Sequence, residues 1–187
     1  MKNKEEAKNY LVDNLKEKYI LSYNNVKSFV NDNFKEEIDY NFKSKYKIFK
    51  ETNLFDNFKN NLKIEKDRFK LTIVKGESLL GKTQYIRSIG PHLYFRSYIN
   101  FEDYKNCEKV DYIVLDDIEI DINFANKIKG VLLSMGENIL TDKYAKKFRC
   151  NINKPHVFIC NDNFVFEYDK YWSKNIEIIE IKEKLFD

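Results

Sequence analysis

Two of the five glycines in this 187-residue chain fall within eight residues, Gly76-Glu77-Ser78-Leu79-Leu80-Gly81-Lys82-Thr83. The segment matches G-x-x-x-x-G-K-[ST] at every fixed position. It follows the apolar run Leu71-Thr72-Ile73-Val74, which reads as a buried parallel strand. It precedes Lys82–Ile89, which reads as a helix stopped by Gly90-Pro91. Each residue type has a physical reason. The glycines let the backbone curl until successive N–H groups face a phosphate. The helix brings its electropositive N-terminus to the same place. Lys82 can reach the β- and γ-phosphates, and the Thr83 hydroxyl can ligate Mg²⁺. The expected ligand of Gly76–Thr83 is therefore a nucleoside triphosphate, ATP with Mg²⁺.

Two further strands end in polar residues. Tyr112-Ile113-Val114-Leu115 runs into Asp116-Asp117. Paired carboxylates at the tip of a buried strand need a positive charge nearby. In that reading Asp116 holds the metal through its water, and Asp117 orients or deprotonates the attacking water. An exposed acidic turn is the competing reading, since Glu119 and Asp121 follow. Val157-Phe158-Ile159-Cys160 ends in Asn161-Asp162. Asn161 is either a contact to the γ-phosphate and attacking water or an Asx turn closing the strand. All three sites fall at strand C-terminal ends, where open α/β sheets bind ligands.

The rest of the chain supplies a frame. Residues 1–62 read as helical. One stripe runs through Ala7, Leu11, Leu15 and Tyr19, and a second, after Ser22, through Tyr23, Val26, Phe29 and Val30. Ile38, Phe42, Tyr46 and Phe49 suggest a third; Leu54, Phe55, Phe58 and Leu62 suggest a short fourth. The charged stretch Lys63–Arg68 marks the expected boundary between a helical region at 1–66 and an α/β domain at 67–187. Beyond it, Asn123–Met135 reads as a helix ended by Gly136, with Phe124, Ile128, Val131, Leu132 and Met135 inward. Thr141–Asn153 reads as a hairpin and Ile176–Ile181 as a last strand. Lys143, Tyr144, Lys146, Lys147, Arg149 and Lys154 interleave cations with an aromatic, a composition suited to tracking a phosphate backbone. A solvated charged loop fits equally simple composition rules.

Composition bounds the class. Hydrophobic residues make up 43% and aromatics 16%, enough for a core. The net charge of +3 is too balanced to imply a polyanion partner without local clusters. Three cysteines without a C-x-x-C pair argue against a disulfide framework or zinc site, and for a reducing compartment. The start lacks the apolar stretch of a signal peptide, and no apolar run approaches a membrane span. A soluble protein that is not secreted is expected.

The order of phosphate loop, acidic strand, basic hairpin and asparagine strand resembles a superfamily 3 helicase. Gly76–Tyr94, Val110–Ile118, Lys143–Lys146 and Pro155–Asn161 are similar to the ATPase half of the replication initiators of geminiviruses and related phytoplasma plasmids. Tyr171–Phe186 resembles that family's end, and Ala7–Phe34 its oligomerisation segment. The resemblance implies an AAA+-like phosphate-loop fold behind a helical oligomerisation region. It also implies a homo-oligomeric ring, commonly a hexamer, with ATP at subunit boundaries. Its activity would be unwinding of forked duplex DNA during rolling-circle replication. Lys143 and Lys146 would face single-stranded DNA, and Asn161 would be the sensor asparagine.

Three departures accompany the resemblance. Only His92 and His156 occur, neither in a nuclease motif, so the chain is not expected to nick or join DNA. The nuclease domain would belong to a separate or longer chain. The family's glycine-rich hairpin tip is replaced by Asn151-Ile152-Asn153. No arginine follows Arg149, leaving Lys174, Lys170 or Arg149 as a finger offered to a neighbouring subunit. The richness in Lys, Asn, Ile, Tyr and Phe leans towards an AT-rich bacterial plasmid and a cytoplasmic location; a plant virus would place the protein in the host nucleus. The alternatives are another phosphate-loop ATPase, such as a helicase loader or packaging factor, and a DNA-binding assembly module that binds ATP without efficient turnover.

Overall fold

The computed structural model describes residues 39–141, 146–161 and 169–187, with residues 6, 7, 9, 10 and 13 of the N-terminal stretch. The chain divides into two compact units, Met1–Asp39 and Tyr40–Asp187. In the first, the five described residues before Asp39 are helical and Ala7 is buried. The stripes through Leu11–Tyr19 and Tyr23–Val30 lie outside the described residues, as does Ile38.

The second unit is built on five parallel strands: β1 (Leu71–Lys75), β2 (His92–Arg96), β3 (Tyr112–Asp116), β6 (His156–Cys160) and β7 (Ile176–Glu180). Their spatial order is β2-β3-β6-β1-β7. A parallel sheet must be covered on both faces, and the strand sequences meet that demand. Alternate residues of β3 feed opposite cores. Ile113 and Leu115 join Leu71, Ile73, Phe95, Leu132 and Trp172 on one side. Tyr112 and Val114 join Val74, Ile159, Tyr85, Ile86, Phe55 and Phe58 on the other. A fully buried side chain of this size contributes about 1.5–3 kcal/mol. The second face is covered by α1 (Asp56–Asn61), which carries Phe58, and α2 (Lys82–Arg87), which carries Tyr85 and Ile86. A 3-10 helix, Phe101–Lys109, supplies Tyr104 to the first face.

Residues 40–50 are not helical, against the stripe read through Phe42, Tyr46 and Phe49. Exposure alternates along this segment, with Tyr40, Phe42, Ser44 and Tyr46 turned inward. Positions 42 and 46 fit a period of two as well as one of four, so the aromatic spacing did not discriminate. Tertiary contacts decide. Tyr46 stacks on Phe186 with ring centroids 3.7 Å apart, Phe49 meets the edge of Tyr85 at 5.1 Å, and the Lys50 N–H donates to the Leu185 carbonyl at 2.9 Å. The two aromatic pairs together contribute about 1–3 kcal/mol beyond area burial, more than the ~0.7 kcal/mol per-residue spread of ordinary helix propensities.

The helix expected over Asn123–Met135 is broken at Ile128 into α3 (Ile122–Lys127) and α4 (Lys129–Leu132). Asp121 caps it through the Phe124 N–H at 2.8 Å. Met135 lies past the turn and is exposed, not inward. Gly136 does more than stop a helix: at φ +76° it starts β4 (Gly136–Leu140), which pairs antiparallel with β5 (Phe148–Ile152). The hairpin thus begins five residues earlier than Thr141. Asn151 and Ile152 are strand residues paired with β4, so 151–153 is not the hairpin tip.

His156 is buried between Tyr104, whose hydroxyl is 3.0 Å from Nε2, and Lys154, whose carbonyl oxygen is 3.1 Å from Nδ1. A carbonyl can only accept, so Nδ1 carries the proton and Nε2 accepts from Tyr104. Burial pushes the imidazole down to about 3, well below its ordinary 6.5. The unfolded chain therefore gains a proton between these limits that the folded chain refuses. Stability is complete above pH 6.5 and is lost as pH falls towards 3. Urea titrations of the wild type should show this loss. His156→Gln should remove up to about 1.4 kcal/mol per pH unit of the slope between pH 6 and 4. An unchanged slope would mean that His156 does not titrate on unfolding.

Candidate functional site

The phosphate-loop segment connects β1 to α2, as its sequence demands. Gly76 and Gly81 have φ of +152° and +88°. A Cβ at Gly76 would collide with the Ile181 carbonyl oxygen, and one at Gly81 would lie 2.7 Å from the Phe186 ring. Glu77 and Ser78 are exposed, and Leu79 is 86% exposed in a left-handed turn at φ +67°. The Leu80 carbonyl accepts from the Leu185 N–H at 2.9 Å. The tail after β7 thus wraps the loop from outside. From the other side, Gln84 of α2 accepts from the Ser44 hydroxyl at 3.2 Å and the Lys45 N–H at 3.1 Å.

Three strand tips converge beside the loop in a cleft of about 440 Å³. Lys82 is buried; its ammonium donates to the carbonyls of Gly76 at 2.6 Å and Glu77 at 2.7 Å, and reaches Oδ1 of Asn161 at 3.4 Å. Thr83 Oγ1 donates to the Asp116 carboxylate at 3.2–3.3 Å. Asp117 follows with φ +50°, its N–H aimed at the Ile159 carbonyl at 3.4 Å. Its carboxylate is half exposed and lies 3.8 Å from Arg96. The loop, Asp116, Asp117 and Asn161 therefore share one site. Asp162 lies outside the described residues.

The two aspartates differ in environment. Asp116 is buried at the end of β3, and desolvation raises its pKa. Hydrogen bonds from Tyr94 and Thr83 oppose that rise, while the neighbouring Asp117 charge adds to it. A buried carboxylate in that state is relieved by a cation. The donors at hand, a carboxylate and a hydroxyl, are hard oxygen ligands of the kind Mg²⁺ prefers. Thr83 and Asp116 fit that ion together with phosphate oxygens and water. No cluster of three or more His, Cys, Asp or Glu suited to a metal occurs among the described residues.

Several cleft residues carry no site signal in the sequence: Lys45, Tyr46, Gln84, Arg87, Tyr94 and Arg96. Tyr94 and Arg96 lie on β2, whose only sequence signal was the alternation of Leu93 and Phe95 after Gly90-Pro91. Strand pairing sets Arg96 opposite Asp116. Arg87 is clamped between the rings of Phe42 and Tyr94, 3.9 and 3.7 Å from their centroids, and donates to His92 at 3.1 Å. Among the expected DNA contacts, Lys146, Lys147 and Arg149 are exposed, and Arg149 pairs with Glu137 at 2.7 Å across the hairpin. Lys143 and Tyr144 lie outside the described residues. Lys154 follows β5, its carbonyl held by Ser134 and His156. Lys170 and Lys174 are exposed, the latter on α5 (Trp172–Asn175). None of these described cations lines the cleft.

Tyr94 donates to Asp116 Oδ2 at 2.6 Å, a bond that favours the charged carboxylate. Tyr94→Phe should therefore raise the Asp116 pKa further, read by carboxyl-carbon NMR titration. An unmoved titration would show that the hydroxyl does not hold this charge.

No protein-family model matches the chain. Over 107 residues, 57% of its length, it is 31% identical to the replication-associated protein of Tobacco yellow dwarf virus (strain Australia). It is 28% identical over 107 residues to that of Miscanthus streak virus (isolate 91). The matched stretch makes up 29% and 28% of those relatives, so the match spans less than a third of their length. Among solved structures, the JCV helicase overlays with a TM-score of 0.43 at 14% identity, covering 69% of this chain and 40% of that one. The ATP complex of NtrX from Brucella abortus overlays with a TM-score of 0.42 at 11% identity, covering 89% and 44%. No helix among the described residues is long and apolar enough to cross a membrane. In sequence, over 57% of its length, the chain is similar to part of the replication-associated proteins of these two viruses.

Proposed function

We propose that the chain is the ATP-hydrolysing, DNA-translocating part of an initiator of rolling-circle replication on a small circular DNA. The observation that carries this reading is the meeting of Lys82, Thr83, Asp116, Asp117 and Asn161 at the tips of β1, β3 and β6, beside a glycine loop that matches the phosphate-binding pattern.

The residues divide the work. Backbone N–H groups of Gly76–Thr83 bind the phosphates. The Lys82 ammonium exchanges loop carbonyls for β- and γ-phosphate oxygens, gaining charge-assisted contacts of about twice the neutral strength. Thr83 and Asp116 hold Mg²⁺, which when bound offsets negative charge on the phosphates. Asp117, more accessible and not committed to Thr83, orients the attacking water and takes its proton. Asn161 can sense the γ-phosphate because its amide already lies within reach of Lys82.

The same reading assigns single-stranded DNA and forked duplex as partners, with Lys143, Tyr144, Lys146, Lys147, Arg149 and Lys154 on the contacting hairpin. It places the chain in a homo-oligomeric ring, a hexamer by family resemblance, assembled through the N-terminal helical region. Arg149, Lys170 and Lys174 remain the cations that a neighbouring subunit could present. The location is the bacterial cytoplasm for a plasmid-encoded protein and the host nucleus for a viral one.

Lys82→Ala should abolish nucleotide binding and ATP turnover, whereas Asp117→Asn should bind nucleotide normally and hydrolyse at least about 10²-fold more slowly. Steady-state phosphate release with nucleotide titrations checks both; unchanged turnover in Lys82→Ala would remove the phosphate-loop assignment. Replacing Lys143, Lys146 and Lys147 by Gln should flatten the salt dependence of single-stranded DNA binding by about two units of log–log slope. An unaltered slope in fluorescence anisotropy would make that hairpin a solvated surface.

A further inference from the structure

Strands β2 and β3 end side by side, with Arg96 opposite Asp116. The left-handed turn at Asp117 then brings that carboxylate round to Arg96, 3.8 Å from its guanidinium. Both side chains are more than half exposed, and both line the cleft with Lys82, Thr83 and Asn161. The other guanidinium of the cleft, Arg87, is fixed by Phe42, Tyr94 and His92. Arg96 is held loosely by comparison. A pair of exposed charges at this separation is weak and readily exchanged. A terminal phosphate offers a better partner, because its oxygens match the guanidinium fork.

We propose that Arg96 is an arginine finger supplied in cis. It contacts the γ-phosphate of nucleotide bound to its own chain and, in leaving Asp117, releases the carboxylate that orients the attacking water. This rests on the nucleotide-hydrolysis reading above and deepens it. In the reaction the water oxygen bonds to the γ-phosphorus as the bond to the β–γ bridging oxygen breaks. The electron pair leaves on ADP, and the water's proton passes to Asp117. The guanidinium stabilises charge on the transferring oxygens. Arg96 thereby gives the site a source of positive charge on its own chain.

The test compares ADP with a non-hydrolysable ATP analogue on the full chain. Arg96→Ala should leave ADP affinity unchanged, lower analogue affinity about tenfold, and lower kcat by about 10³-fold or more. Arg96→Lys should restore part of the analogue preference but little of kcat, since a point charge lacks the fork. Equal changes for ADP and analogue, or no change for either, would overturn the proposal. Mixing Arg96→Ala with Lys82→Ala chains separates cis from trans: a cis finger predicts no activity beyond that of each variant alone, and recovered turnover would place Arg96 across a subunit boundary. If the wild type binds neither nucleotide, or Lys82→Ala binds both normally, the underlying nucleotide reading fails as well. If Lys82→Ala abolishes binding and Arg96→Ala keeps the wild-type ratio, the finger assignment alone fails.

Discussion

A loop of the G-x-x-x-x-G-K-[ST] pattern must hold its backbone in a shape that few residues tolerate, with N–H groups turned inward and no side chain in the way. In this protein the shape is imposed from outside by the chain that follows β7. The Ile181 N–H bonds to the Lys75 carbonyl just before the loop, and the Leu185 N–H bonds to the Leu80 carbonyl just before Gly81. Immediately after each of these two fixed points sits a glycine, Gly76 or Gly81, with no room for a Cβ. The glycines thus answer a steric demand from the tail as well as a conformational one. The strap at 40–50 closes over the tail, and the sheet supplies the rigid edge against which both are set.

The same edge separates two adjacent carboxylates. Asp116 is the last residue of β3 and shares the strand's burial, so its charge depends on Tyr94, Thr83 and a nearby cation. Asp117 is one residue further, where the backbone has turned left-handed and the side chain meets water and Arg96. One peptide unit therefore divides a buried carboxylate, the proposed metal ligand, from an exposed one, the proposed partner of the attacking water. That division is a property of where the strand stops, not of the residue type.

The parts legible in the sequence are those where chemistry dictates residue identity. The glycine loop, the buried strands at Leu71, Tyr112 and His156, and the polar ends of the last two were readable because burial and phosphate binding admit few substitutes. The strap was not readable, because Phe42 and Tyr46 satisfy both helical and extended spacing. The start of the hairpin is hidden in the sequence because Gly136 both stops a helix and begins a strand. Tyr94 and Arg96 are hidden for a different reason. Their role comes from β2 pairing with β3 in register, and no spacing along the chain encodes which strands become neighbours.

The Tyr46–Phe186 stack joins the two ends of the compact unit across the loop. Loosening the loop therefore means loosening the strap and the tail with it, as one cooperative opening. The amides of Lys50, Ile181 and Leu185, all hydrogen-bonded in this layer, become natural reporters of the loop's state. Their exchange with solvent should follow events in the cleft, which none of these three residues lines. A surface that closed over strap and tail would slow that exchange.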